Sequence, residues 1–134
     1  MSASLALQAA LHDALTQDPA LTTLLQGPHV YDGAPPRTRY PFVSFGDAVV
    51  ADYGGTDAEA FEHHVDIHVW TRTGGQGDAF AILTAIRNAI ADVPSALTGY
   101  RLANIRAGGA RTVRLRDGVT VRATLDVRVV TEPL

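Results

Sequence analysis

The spacing His64-x-Asp66-x-His68 is the one arrangement in this sequence that resembles a chemical site. Alternate residues of a strand share a face about 6.6 Å apart, so two imidazoles and a carboxylate could bind a transition metal there. Glu62 and Arg72 share that face in the same alternation. A solvated or partner-covered polar face is therefore the simpler interpretation, and a small metal-dependent enzyme is the alternative.

Nucleophilic and phosphate-binding sites are disfavoured by residue type and charge. The chain contains no cysteine, and Ser44 in FVSFG lacks the first glycine of the G-x-S-x-G turn. A GGQG turn could receive an anion at a helix N-terminus, but Asp78 follows it with the wrong charge. We therefore predict no catalytic residue, no cofactor and no metal site, so the protein is not expected to be an enzyme.

The candidate metal ligands lie in a segment with the alternation of a half-buried strand, Phe61–Arg72. Its odd-numbered residues are mostly apolar and its even-numbered residues mostly polar, and successive strand side chains leave on opposite faces. Val119–Val130 repeats this alternation. Two long strands with one polar face each indicate an antiparallel sheet that is covered on one side only.

Amphipathic helices can supply the cover. The first should have Ser2 or Ser4 as its N-cap and run to about Leu15, and a short helix should follow Asp18. The second long helix should be capped by Asp78 and end before Pro94. The predicted core joins these helices to the sheet: Leu7, Leu11, Ile82, Leu83 and Ile86 on Val65, Ile67, Val69, Leu125 and Val127.

The remaining strands of the first half are shorter. Val30–Tyr31 is predicted to be a short edge strand, and Tyr40–Asp47 is a strand because it is rich in aromatic and β-branched residues. Asp32–Arg39 contains Gly and Pro-Pro and is predicted to be a loop. Val49–Ala60 should contain a mobile, acidic hairpin loop.

The second half should end in a hairpin. Tyr100–Arg106 and Arg111–Arg116 are strand candidates, separated by a bend or bulge at Gly108-Gly109. A three-residue loop, Arg116 to Gly118, would pair Leu115 with Val119 and so match apolar with apolar. Gly118 would then occupy the left-handed position of that turn.

These elements predict one α+β domain over residues 1–134. Its sheet should be mostly antiparallel, with two main α-helices packed on one face. The N-terminal segment has no positive charge before Asp13, and no stretch has the roughly 18 apolar residues of a membrane span. We therefore expect a soluble protein with no membrane partner.

Charge is distributed unevenly along the chain. The net charge is −3, but residues 1–100 carry a net −7 and residues 101–134 a net +4. The positive charge comes from a group of arginines in the predicted final hairpin: Arg111, Arg114, Arg116, Arg122 and Arg128. We interpret this patch as protein-facing; nucleic-acid binding and a solvated face are the alternatives.

Several stretches together resemble a known family. They are ALQAALHDAL, DPALTTLLQGPHVYDGAPP, YPFVSFGD, HVDIHVWTRTGG and the closing VVTEPL. The chain resembles the tail completion, or tail terminator, family of long-tailed phages and gene transfer agents. The resemblance covers essentially the whole chain and rests on fold-patterned segments, so it brings no catalytic residues with it.

The resemblance implies a structural virion protein, made in the bacterial cytoplasm and located at the head-proximal end of the tail. Such a protein forms a ring, expected to be a homohexamer, that stops polymerisation of the tail tube and joins the tail to the head connector. Its partners would be other copies of itself, the tail tube protein and the connector or neck proteins, with DNA passing through the lumen. A neck or connector (stopper) protein of the same particle is the alternative.

The opposite charges suggest how such a ring would close. We predict an interface formed by the acidic residues Asp52, Asp57 and Glu59 and the basic residues Arg111, Arg114 and Arg116. In a head-to-tail ring, the basic surface of one protomer could meet the acidic loop of the next.

Overall fold

Six strands form one sheet, in the order β1-β2-β3-β6-β5-β4, in a computed structural model that describes residues 2–73 and 75–134. The elements in chain order are α1 (Ala3–Thr16), α2 (Pro19–Leu25), β1 (Val30–Tyr31), β2 (Phe42–Asp52), β3 (Phe61–Thr71), α3 (Gly77–Ile90), β4 (Ala96–Leu97), β5 (Tyr100–Arg114) and β6 (Val121–Pro133). Among the strands of the described residues, only the pair β1–β2 is parallel. The α+β class is thus confirmed, as a mixed sheet with two long helices and a short third one.

The ends of the first two helices follow the predicted capping chemistry. The Ser2 side chain accepts a hydrogen bond from the Leu5 amide at 3.1 Å, and Asp18 accepts one from the Leu21 amide at 2.9 Å. For α3 the predicted cap is wrong. Gln76 occupies the N-cap position without a side-chain bond, and Asp78 lies inside the first turn, where its charge still favours the positive end of the helix dipole. No helix in residues 2–73 and 75–134 has the length and apolarity needed to cross a lipid bilayer.

The core lies between the helices and one face of β3 and β6, as predicted. The inward side chains of the two strands lie directly opposite one another, for example Ile67 opposite Leu125 and Val65 opposite Val127. All ten predicted core residues belong to one buried cluster. Burial of these apolar side chains supplies the main driving force for this arrangement.

β2 is longer than the sequence suggested. It continues through Val49 to Asp52, which pairs with Phe61, after a shift of register between Phe45 and Ala48. Backbone pairing with the long β3 outweighs the low strand propensity of the acidic and small residues here. The loop that joins β2 to β3 is therefore restricted to residues 53–60.

β5 is one 15-residue strand where two were predicted. The two glycines at 108 and 109 form a bulge, since the register shifts between Ala107 and Ala110. A Cβ on Gly108 would lie 3.2 Å from the Asp126 carbonyl oxygen. The expected bulge is present, and the strand continues past it.

The predicted register of the final hairpin is wrong. Leu115 donates to the Thr120 carbonyl at 2.8 Å, so these two residues pair, and Val119 is 43% exposed in the turn. Asp117 decides the turn, because its Oδ1 accepts from the amides of Val119 (2.9 Å) and Thr120 (2.8 Å). These polar contacts outweigh the apolar match used in the prediction. Gly118 has φ +74°, the left-handed conformation that was expected.

Candidate functional site

The outward face of the sheet carries the histidines that could have formed a metal site. His64 Nε2 lies 3.3 Å from Glu62 Oε1, and His64 Nδ1 lies 3.7 Å from Asp126 Oδ1. His68 Nδ1 lies 2.8 Å from the Thr124 hydroxyl on the neighbouring strand. Each imidazole thus has its own partner. Among residues 2–73 and 75–134, no group of three or more His, Cys, Asp or Glu side chains is arranged to hold a metal ion.

A second set of contacts ties the acidic end of the sheet to β6. Arg128 donates from Nη2 and Nε to Glu62 Oε2 at 2.6 and 2.8 Å, and its guanidinium lies 5.4 Å from the ring centre of Tyr53. The hydrogen bond from Arg128 lowers the pKa of Glu62 and raises that of Arg128. Tyr53 begins the acidic loop, so Arg128 anchors the base of this loop.

Two histidines are made less basic by burial. His63 is 2% exposed on the helix-facing side, with Nε2 at 2.9 Å from the Thr131 hydroxyl, and burial lowers its pKa. Burial is also the first cause of the lowered pKa of His68, followed by the nearby positive charge of Arg122. His63 is therefore packed at the end of β3, on the core side of the sheet. Each ring contacts a threonine hydroxyl, but Thr131 and Thr124 are 0% and 1% exposed, so neither hydroxyl is accessible to a substrate.

The acidic loop lies at one end of the sheet. Asp52 is the last residue of β2, and its Oδ1 lies 3.5 Å from the Gly54 amide. Asp57 and Glu59 are exposed in the loop. At this end Phe61 pairs with Thr131, and the Tyr53 amide donates to the Ala60 carbonyl at 2.8 Å.

The basic hairpin lies at the other end of the sheet. Thr71 pairs with Val121, just beyond the turn that contains Arg116. The hydrogen bond from the Thr120 hydroxyl is the first cause that lowers the pKa of Asp117 to about 2. Because β3 spans 11 residues, the two charged ends are separated by about 33 Å along the strand. They cannot neutralise each other within one protomer, since this distance is several Debye lengths.

The predicted basic residues do not form one continuous surface. Arg111 lies opposite Thr124, whose side chain is on the outward face, whereas Arg114 lies opposite Val121 on the helix-facing side. The outward arginines on β5 are Arg101, which is bonded to Glu132, together with Arg106 and Arg111. Sequence reasoning missed Arg106, because the bulge at 108 and 109 interrupts the period of two that would have grouped it with Arg111.

A concave region near the helices also lacks catalytic chemistry. A groove of about 470 Å³ lies between α1 and the segment after α3. Its lining combines small residues such as Ala6 and Ala10 with the carboxylates of Asp13, Asp18 and Asp92, and it includes none of the five histidines. Asp18 is already engaged as the cap of α2. The groove therefore brings together no acid–base or nucleophile–base pair of the kind that catalysis needs.

Comparisons with known proteins agree with a non-catalytic role. The sequence matches the family described as Tail completion protein gp17 over residues 9–132. A chain in the structure titled "Virion of native gene transfer agent (GTA) particle" is 29% identical, with a TM-score of 0.84 and coverage of 98% of both chains. The bacteriophage SPP1 gp17 protein is 25% identical, with a TM-score of 0.63 over 95% of this chain and 89% of that one. No curated protein matches the sequence significantly.

Proposed function

Since the chain belongs to the tail completion protein gp17 family, we propose that it forms a ring at the head-proximal end of a phage-like tail tube. The ring stops tube polymerisation and joins the tail to the head connector. The protein itself is a structural virion protein of the tail and not an enzyme.

One observation carries this proposal. The likeness to a chain of a gene transfer agent virion extends over 98% of both chains. The two chains therefore share one fold over nearly their whole length. A structural virion protein acts through the surfaces that it presents to other proteins.

The charge distribution supports a ring of identical protomers. Each protomer carries an acidic end, formed by Asp52, Asp57 and Glu59, and a basic end near Arg114 and Arg116. Opposite charges on different parts of one protomer allow the basic part of one copy to meet the acidic part of the next in a heterologous contact, and a heterologous contact that closes produces a ring. We propose that the ring is a hexamer.

Native mass spectrometry and electron microscopy of the purified protein test ring formation. The expected result is a closed ring of one size. Tail tubes polymerised with and without the protein then test termination, and the expected result is that tubes stop growing and carry the ring at one end. If rings bind heads but leave tube growth unchanged, the protein is a neck or connector component instead.

A further inference from the structure

We propose that the ring closes by strand addition, with the free edge of β2 in one protomer pairing with the free edge of β5 in the next. The β2 edge consists of residues 45–52, and the β5 edge consists of residues 103–113. This inference rests on the proposed ring. The strand that would pair with each edge belongs to a second copy of this chain.

Both edges are open over most of their length. β1 pairs only with Val43 and Ser44 of β2, and β4 pairs only with Tyr100 and Arg101 of β5. Among the described residues, no strand pairs with the rest of either edge. Open edges present unpaired N–H and C=O groups that can template pairing with another chain.

The backbone of β2 directs identifiable groups to this open side. The Tyr53 amide donates to the carbonyl of Ala60, the residue just before β3. Tyr53 is therefore bonded on the side of β2 that faces β3. In an antiparallel pair, residues alternate between bonding to the partner strand and pointing away from it. The amide and carbonyl groups of Asp52, Val50 and Ala48 therefore point away from β3, towards the position that an added strand would occupy.

The β2 edge is also unusually apolar for an exposed strand. Val49 and Val50 are 62% and 49% exposed, whereas the valines in the middle of β3 and β6 are buried. Beside Val50, on the helix-facing side, lies a pocket of about 70 Å³ whose apolar lining includes Leu7, Phe45 and Val65. This volume is well below the roughly 300–1,000 Å³ of a small-molecule site. It suits a single side chain from an added strand.

Charge selects β5 as the added strand. Residues 45–52 of the β2 edge contain two acids and no basic residue, and residues 103–113 of the β5 edge contain two arginines and no acid. Pairing of two β2 edges, or of two β5 edges, would bring like charges together, which is destabilising. Pairing of β2 with β5 brings opposite charges together.

The directions of β2 and β5, and the positions of their residues along the strand axis, are also compatible with this pairing. β2 and β5 run in opposite directions in the sheet, so rotation about an axis along the strands places a neighbour's β5 antiparallel to β2. The bulge of β2 and the glycine bulge of β5 interrupt the same level of the sheet. The first lies between the partners of Ile67 and Val65, the second lies between the partners of Leu125 and Val127, and Ile67 pairs with Leu125 and Val65 with Val127. Without an offset along the strands, the neighbour's residues 104–107 lie beside residues 48–51.

This alignment gives specific contacts. Val50 pairs with His63, His63 pairs with Val129, and Val129 pairs with Ile105. Val50 and Ile105 therefore lie at the same level of the sheet, on its helix-facing side. The neighbour's Ile105 would therefore lie next to Val50, over the small apolar pocket. On the outward face, Asp47 would lie between the levels of the neighbour's Arg106 and Arg111.

The pairing revises the ring contact expected from the sequence. Asp52 and Arg111 remain in or beside the contact between neighbours. Asp57 and Glu59 lie at one rim of the ring and Arg116 lies at the other, since the two ends of the sheet are about 33 Å apart.

A proline at position 50 tests the backbone contact. Val50→Pro removes an amide that points away from β3, and edge strands tolerate such a proline. The matched control, Val50→Thr, keeps the amide and the branched shape. We expect Val50→Pro to remain folded by circular dichroism and to raise the concentration needed for ring formation at least tenfold, whereas Val50→Thr should have a much smaller effect. Rings of unchanged affinity from folded Val50→Pro would overturn the inference.

Charge reversal provides a second test that does not alter the backbone. Arg106→Glu should weaken ring formation, and Asp47→Arg in the same chain should restore part of it. Arg87→Glu makes the same change at an exposed site on α3 and should have no effect. Equal ring formation by Arg106→Glu and Arg87→Glu would overturn the inference, even if Val50→Pro failed to fold.

Amide exchange separates this inference from the proposed function. Ring formation by the wild-type protein should increase the protection of the Ala48 and Val50 amides, because they become bonded to the neighbour. If rings form and terminate tubes without this protection, edge pairing is wrong and the proposed function stands. If the wild-type protein forms no ring, the proposed function itself fails.

Discussion

Replacing Leu125 with alanine should destabilise the protomer by about 2–5 kcal/mol. Leu125 is fully buried on the helix-facing side of β6, directly opposite Ile67 of β3. β6 lies between β3 and β5 in the sheet, with α3 packed against it. These neighbours restrict collapse around the deleted methyl groups, so a cavity should remain, and the loss should fall in the upper half of this range.

The expected change in melting temperature follows from the size of the chain. Unfolding entropy near the midpoint is about 2.1 cal/mol/K per residue, which for 134 residues amounts to about 0.28 kcal/mol/K. A loss of about 2–5 kcal/mol should therefore lower the melting temperature by about 7–18 °C. The total stability of a domain is usually about 5–15 kcal/mol, so the variant should still fold.

Urea unfolding of dilute, monomeric protein measures this loss directly, provided that the m-value is unchanged. Leu5→Ala is the matched control, because it deletes the same atoms at a position that is 55% exposed. Its effect should be under about 0.5 kcal/mol. If both Leu125→Ala and Ile67→Ala also cost less than that, the two faces of the sheet have been assigned backwards.

Three further outcomes are expected. The amide hydrogens of the acidic loop, residues 53–60, should exchange rapidly in the monomer and become protected only when the ring binds a tail tube or a head. Equal protection in both states would show that the loop does not become ordered on attachment. Reversing Arg114 and Arg116 to glutamate should leave ring formation intact but weaken the attachment of the ring to purified tail tubes or heads. The effect should be clearest at low salt. Loss of the ring itself would show that the hairpin contacts a neighbouring protomer. Burial lowers the pKa of His63, so the unfolded chain binds its proton at a higher pH than the folded chain does. Stability should therefore fall as the pH drops below about 6.5, and His63→Gln should flatten this dependence in urea unfolding between pH 8 and 5.

The parts of the fold that follow from periodicity could be predicted from the sequence. The alternation in β3 and β6 assigned both faces correctly, because a half-buried strand leaves a period of two that few other structures produce. The apolar stripes of α1 and α3 and the caps at Ser2 and Asp18 were equally local. Each of these features depends on residues within a few positions of one another.

The parts that failed depend on non-local pairing or on competing polar contacts. β2 reaches Asp52 only because β3 offers it a partner. The hairpin register is set by the Asp117 carboxylate, which no comparison of apolar positions could weigh. Arg111 and Arg114 were grouped by their closeness in sequence, but they lie on opposite faces of β5. The uneven charge of the sequence therefore indicated which residues could form an interface, but it did not show on which face or at which end of the sheet they lie.

A ring that joins two different structures needs two different faces, although all of its protomers are identical. Cyclic symmetry provides this when the polar features of the protomer are aligned with the ring axis. Edge pairing of β2 with β5 would align them in that way, because it stacks the strands side by side and keeps every protomer at one level. All acidic loops would then surround one rim, and all Asp117-stabilised basic hairpins would surround the other. The charges of all the copies would add up along each rim, so that one rim would be negative and the other positive. The same strand pairing that closes the ring would therefore also determine which rim can bind the tube and which can bind the head.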